Sequence, residues 1–404
     1  MPSPNIPRAG AAASAILLLA LLAAPASSQT LHDFVQAAAA RDPDLAGLTG
    51  RRDAIGARQD AADAITPGAP ILSGSYTTDQ VIHNRQQREA QIGISTPIWL
   101  PGEGTASRRV ADAELSRSSA QATAIKLKIA GQVRETLAEF ALAQAELAIA
   151  ERRLRDARAL EADVGRRANA REASQADLLL VRAERIAADG ERAERRAALE
   201  QTRLGFQSLT GMPPLTAAMH EPVPPASHAA HPRLNDAKIA MDVARANQTL
   251  AEIQVRDSPE IGVVARRNRD TYGTTYDNSV GIELRIPFAT DARNRPRQAA
   301  ARAELTEASA GYEAAERDIG TERQKATIGY ENALVQRDMA RERTRTLAQQ
   351  TALVGRGYQG GEISLLDLVR ARTLAYEAEF AKTRAEIGVP KARGRLNQAF
   401  GVIP

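Results

Sequence analysis

The sequence predicts a mainly α-helical protein with a small β part, organised as two internal repeats of long antiparallel coiled-coil helices. Three observations carry this. The stretch from Val164 to Gly190 aligns without a gap to the stretch from Val354 to Phe380, and the shared positions include Val164/Val354, Gly165/Gly355, Arg166/Arg356, Ser174/Ser364, Asp177/Asp367 and Arg182/Arg372. Two long segments, from Gly102 to Met212 and from Arg297 to Val389, contain no proline. Four short segments alternate apolar and polar residues, which is the period of a half-buried strand.

The N-terminus comes first. Arg8, an apolar run from Ala9 to Ala24 and the small residues Pro25 to Ser28 describe a secretory signal peptide over residues 1–28, cleaved after Ala26 or Ser28. No later segment has the apolar length of a membrane-spanning helix. The chain has no cysteine, so disulfides, thiolate metal sites and a lipid-anchored N-terminal Cys are all excluded. With 14 aromatics in 404 residues, burial must come from narrow helix seams and not from a bulky core. The formal charge is +4, but acids and bases alternate along the helices, which argues for solvated faces and against nucleic-acid binding.

The first repeat spans residues 29–211. It begins with a short helix over Leu31–Ala40 and a second helix that Pro43 opens and Thr66-Pro67-Gly68 stops. Strands follow at about 70–79 and 89–97, where Ala90, Ile92, Ile94 and Thr96 alternate with Gln91, Gly93 and Ser95. A helix from Glu103 to Val164 extends roughly 90 Å at 1.5 Å per residue. Val133, Phe140, Leu147 and Leu154 recur on it at sevens, the spacing of a lengthwise helix pair.

The second repeat spans 233–404, with strands at about 260–269 and 278–287. There Val280, Ile282, Leu284 and Ile286 alternate with Ser279, Gly281, Glu283 and Arg285. In its last helix Val369, Tyr376 and Thr383 fall at sevens. Each strand has about the 9–11 residues that cross a bilayer when tilted. Tyr76, Trp99, Tyr272, Tyr276 and Phe288 stand near strand ends, where a membrane interface favours aromatics. The same pattern also suits two soluble hairpins.

The breaks at about 165–174 and 355–364 read as hairpin tips between helices. Ser174 and Ser364 each precede an acid by three residues, Asp177 and Asp367, which is N-cap chemistry. The linker over 212–232 holds six prolines with Met219, His220, His228 and His231. Imidazole and thioether suit a soft metal, but the spacings match no defined site and no metal is assigned. No phosphate loop, nucleophile–base pair or paired carboxylates appear, so no catalysis and no cofactor are expected.

Two tandem halves, each helix–strand–strand–long helix–tip–helix with Val-Gly…Ser-x-x-Asp at the tips, resemble the TolC family of outer-membrane efflux proteins. The segment Gly93-Ile94-Ser95-Thr96-Pro97-Ile98-Trp99-Leu100-Pro101-Gly102 is most similar to its heavy-metal, CzcC-like branch. The resemblance implies four transmembrane strands per chain and a homotrimer sharing a 12-stranded β-barrel in outer-membrane lipid, continued by an α-helical periplasmic tunnel. It implies a passive, gated channel for metal ions or drugs, a periplasmic adaptor docked at the tips, and an inner-membrane pump of the RND type. By position, Asp367 matches the family's aperture aspartate, Asp177 is its counterpart on the partner helix, and Arg370 stands where some members carry a second acid. Gly165, Arg166, Ser174, Gly355, Arg356, Gly361 and Ser364 fall on the docking tips. A channel for type I protein secretion and a soluble periplasmic coiled-coil scaffold are the alternatives.

Overall fold

The structure is a computed structural model that describes residues 30–81, 86–224 and 230–404. The expected signal peptide and His228 lie outside the described residues. Helices α1 (Leu31–Arg41) and α2 (Pro43–Asp63) lead into β1 (Ile71–Thr78) and β2 (Arg88–Pro97), then α3 (Glu103–Asn169) and α4 (Gln175–Thr210). After one 3-10 turn over Thr216–Met219 the pattern repeats: α5 (Pro232–Ile253), β3 (Glu260–Arg269), β4 (Asp277–Arg285), α6 (Asp291–Gln359) and α7 (Leu365–Ala399).

The four strands form one antiparallel sheet in the order β1-β2-β3-β4, so the two repeats meet at the β2–β3 pair. Its two faces differ sharply. Leu72 opposes Ile94, Ile94 opposes Val263 and Val263 opposes Ile282, which gives a continuous apolar row across all four strands. These side chains are bare: Leu72 is 73% exposed, Ile282 82% and Val280 76%. The opposite face is polar. Arg266 pairs with Glu89 at 2.8 Å, and Arg285 with Glu260 at 3.5 Å. Among the described residues no helix packs on the apolar face, and β1 and β4 each leave one edge unpaired. Soluble hairpins closing a β-domain within the chain would bury that row, whereas here it is exposed.

The helices form a curved wall. α3 is its spine, flanked by α2 and α5 near the sheet and by α4 and α7 toward the tips, with α6 outside α5 and α7. At 67 residues α3 reaches roughly 100 Å. Val133, Phe140 and Leu154 are buried on it, while Leu147 is only half-buried and Glu146 is buried instead. A strict heptad describes one seam, but α3 serves two neighbours and its buried stripe is correspondingly broader. Glu146 is clasped from both sides, by Arg195 of α4 and Arg384 of α7, each at 2.6 Å. Helices α6 and α7 also run through Pro296 and Pro390, beyond the proline-free limits. Burial of Val389, Leu396 and Asn397 on α7 outweighs the roughly 3 kcal/mol that an interior proline costs.

The densest packing lies midway along the wall, where α1 crosses α3 and α4. Phe34 and Phe206 are fully buried with their rings edge to face, 5.0 Å apart, among Leu31, Ile129, Val133 and Leu137. Each such side chain contributes about 1.5–3 kcal/mol by leaving water. The linker is strapped over this core. His231 caps α5, its Nδ1 accepting the Arg233 N–H at 3.2 Å, so the ring proton sits on the buried Nε2.

Burial lowers the His231 pKa, and the neighbouring Arg323 and Arg233 lower it further against the weaker pull of the Gln398 backbone and Glu322. A depressed histidine takes its proton more readily when unfolded. Stability is therefore full above the ordinary value of 6.5 and is lost as pH falls below it. Thermal melts from pH 7.5 to 5 are expected to show this decline. His231→Asn, which keeps a capping oxygen but cannot titrate, is expected to flatten it.

Candidate functional site

The two tips are built alike and lie together. Each long helix ends in a Schellman turn: the Glu172 N–H returns to the Arg167 carbonyl at 2.8 Å, and the Glu362 N–H to the Gly357 carbonyl at 2.9 Å. The turn needs one residue in the left-handed region. Gly361 supplies it at φ +76°, whereas in the first repeat Arg171 holds φ +64° despite its side chain. A Cβ on Gly361 would meet nothing, so its replacement isolates the backbone cost. Gly361→Ala is expected to lower stability by about 1 kcal/mol in denaturant titrations, and Arg171→Gly to lower it by less or raise it.

After each turn the returning helix is capped as the Ser-x-x-Asp spacing requires. Ser174 Oγ accepts the Asp177 N–H at 3.0 Å and donates to the Asp177 carboxylate at 2.7 Å, while the Ser174 N–H donates to the same carboxylate at 3.2 Å. Ser364 Oγ likewise accepts the Asp367 N–H at 3.2 Å and donates to its carboxylate at 2.7 Å. Arg370, one turn on, lies 3.9 Å from Asp367, and both side chains are more than half exposed. The structure thus brings Ser364, Asp367 and Arg370 into one chain of contacts and does the same for Ser174 and Asp177.

Behind the caps the hairpins share an apolar plug. Leu160 and Val164 of α3, Val181 of α4, and Leu365, Leu368 and Val369 of α7 are buried together. A Cβ added to Gly165 would lie 3.8 Å from Leu178 and one added to Gly355 4.0 Å from Leu368, the equivalent neighbour in each repeat. Arg166 reaches only Asp163 of its own turn, at 3.0 Å, and Arg356 is exposed.

One element escaped the sequence. Between α3, α6 and α7, just behind the tips, lies a cavity of about 780 Å³ lined by Asp156, Asp163, Tyr358, Arg372, Tyr376 and Glu379, among others. The Tyr376 hydroxyl donates to the Asp156 carboxylate, and Arg152 pairs with Glu379 at 3.1 Å. Burial and the adjacent Asp156 charge hold the Tyr376 hydroxyl protonated far above its ordinary range. Heptad spacing marked Tyr376 only as a seam residue. Its partner sits on another helix 220 residues away, and no local pattern could have supplied it. Among the described residues, no group of three or more His, Asp or Glu side chains could hold a metal ion.

The chain is thus a duplicated palisade of long helices, capped at one end by paired hairpin tips and at the other by an amphipathic sheet. Residues 223–402 match the family described as outer membrane efflux protein. No curated protein matches the sequence. Among solved structures, CusC, studied for the conformational changes accompanying its folding and transmembrane channel formation, has 18% identity and a TM-score of 0.76, covering 92% of each chain. The outer membrane protein VceC of Vibrio cholerae has 15% identity and a TM-score of 0.72, over 92% of this chain and 96% of its own. The CmeC outer membrane channel of Campylobacter jejuni has 15% identity and a TM-score of 0.71, over 99% and 94%. The second half of the chain thus resembles the outer membrane efflux proteins in sequence, and the chain shares the fold of these solved structures over most of its length.

Proposed function

We propose that this chain is the outer-membrane component of a tripartite efflux system, a passive channel that carries small solutes such as metal ions or drugs out of the periplasm. The bare apolar face of the sheet is the observation that carries the reading. Side chains such as Ile282 and Val280 gain nothing from water and are suited to lipid, while the Arg–Glu pairs of the other face are suited to an aqueous lumen. Four strands cannot close a barrel, and unpaired edges are not tolerated in hydrocarbon. Three copies, with β4 of one protomer against β1 of the next, close one of 12 strands. The same ring brings α6, with Ile328, Val335, Met339 and Leu353 at least half exposed, toward the neighbour's α4, where Leu179, Ile186 and Leu204 are bare.

The tips are then the periplasmic end. Gly165, Arg166, Ser174, Gly355, Arg356, Gly361 and Ser364 form the surface offered to an adaptor that couples the channel to an RND-type pump. Asp367, Asp177 and Arg370 ring the aperture. Exposed ion pairs contribute about 0.2–1 kcal/mol each, so a ring of three is within reach of adaptor binding energy. Asp367→Ala is expected to raise the closed-state conductance of reconstituted protein severalfold. Unchanged conductance and unchanged solute sensitivity of cells would remove Asp367 from the gate.

The decisive experiment is the mass of protein extracted from the outer-membrane fraction, measured by light scattering in detergent. A trimer that requires detergent is expected. A monomer soluble in plain buffer would overturn the channel reading.

A further inference from the structure

The outer end of the sheet, away from the helices, breaks the apolar rule of the bare face. The residues that share the face of Ile92, Ile94 and Val263 continue upward to Arg88 on β2 and to Arg267 and Arg269 on β3. Arg88 lies directly opposite Arg269, and Arg267 opposes Ala90 one row below. Like charges directly opposed across a strand pair are destabilising. The contrast with the polar face is informative: Arg266 and Arg285 there each have a carboxylate partner. Among the described residues, no ion pair joins Arg88, Arg267 or Arg269 to any acid.

Their other contacts leave donors idle. The guanidinium groups of Arg267 and Arg269 lie over the Tyr276 ring at 4.4 and 5.1 Å, and Arg269 reaches the Gln86 carbonyl at 3.4 Å. Arg88 Nε, Arg269 Nε and Thr78 Oγ1 are buried with no hydrogen-bond partner among the described residues. Three guanidinium groups with unused donors, raised just above an apolar band, present the complement of a phosphorylated amphiphile. Planar guanidinium forks match phosphate oxygens in bidentate fashion, and the rows of Ile92, Ala265 and Val280 below suit acyl chains.

We propose that Arg88, Arg267 and Arg269 form a binding site on the outer wall of the barrel for the phosphorylated headgroup of an outer-leaflet lipid. The inference rests on the channel reading, because it needs this face to meet lipid. An anion here relieves the Arg88–Arg269 repulsion. It thereby fixes the height of the barrel in the membrane.

The test uses delipidated wild-type protein in a maltoside detergent, titrated with lipopolysaccharide, with the same lipopolysaccharide stripped of its phosphates, and with inorganic phosphate alone. Binding by native mass spectrometry and the thermal midpoint of the oligomer are read together. The phosphorylated lipid is expected to bind about tenfold more tightly than the stripped one and to raise the midpoint. The R88Q/R267Q/R269Q variant is expected to lose that preference. Equal binding of the two lipids to wild type overturns the site, as does inorganic phosphate alone reproducing the effect. These wild-type arms do not depend on the variant folding. A protein that forms no detergent-requiring trimer refutes the channel, whereas a trimer indifferent to lipid phosphate refutes this site alone.

Discussion

Arg134→Ala is expected to destabilise the protein by about 3–5 kcal/mol, a loss large enough to lower its thermal midpoint by many degrees and its yield in the membrane. Arg134 holds Glu221 of the linker through two bonds, at 2.9 and 2.6 Å, and both side chains are almost fully enclosed at 7% and 10% exposure. The same guanidinium donates to Gln398 at 2.8 Å and to the Val402 carbonyl at 3.0 Å, so one side chain ties α3 to the linker and to the C-terminal end of the chain. Removing it strands a buried carboxylate, and that uncompensated charge accounts for most of the cost. Removing both charges is different. Arg134→Met combined with Glu221→Leu is expected to recover much of the loss, since well-packed apolar pairs commonly match buried ion pairs. Denaturant titrations of the two variants decide between this account and a simple loss of packing, which the double variant would deepen.

Gly262→Ala is expected to prevent assembly. A Cβ at this position would lie 2.8 Å from the Ile94 carbonyl oxygen and 2.9 and 3.0 Å from Ser95 Cβ and Cα. Most of these are backbone-anchored atoms of β2 and cannot swing aside, so the β2–β3 pair must open. That pair joins the two repeats, and the sheet would divide into two hairpins, each marginal alone. Heat-resistant oligomers on electrophoresis are expected to disappear while the helical circular-dichroism signal persists. Gly281→Ala is the control, because a Cβ there meets nothing.

Much of this architecture was legible in the residues. Ser-x-x-Asp at an offset of 190 announces two capped helices because capping is local chemistry, decided within four residues. Alternation at Ala90 to Thr96 and Val280 to Ile286 announces a two-faced sheet because the strand period is fixed by backbone geometry. What was not legible is non-local. Glu146 reads as an ordinary surface acid until α4 and α7 bring Arg195 and Arg384 to it. Tyr376 and Asp156 are joined by the register of α7 against α3, which depends on packing along the whole seam. Pro390 inside α7 misled for the same reason, because a local penalty was overridden by burial that only the assembled wall provides. Asp367 is found where the tip motif puts it, but within one chain its carboxylate serves the Ser364 cap, and a role across the pore depends on neighbours.

Of the 69 residues of α6, only Ala301 and Ile319 are buried, whereas its repeat partner α3 is enclosed along most of its length. A folded protomer therefore has one dressed spine and one naked one. For such a molecule, concentration acts as a folding variable. In the proposed trimer, dilution that separates the copies uncovers α6 and the strand edges, so melting is expected to move upward with protein concentration as it does for an obligate oligomer. For the proposed trimer, quantity itself becomes a condition for the protein's survival.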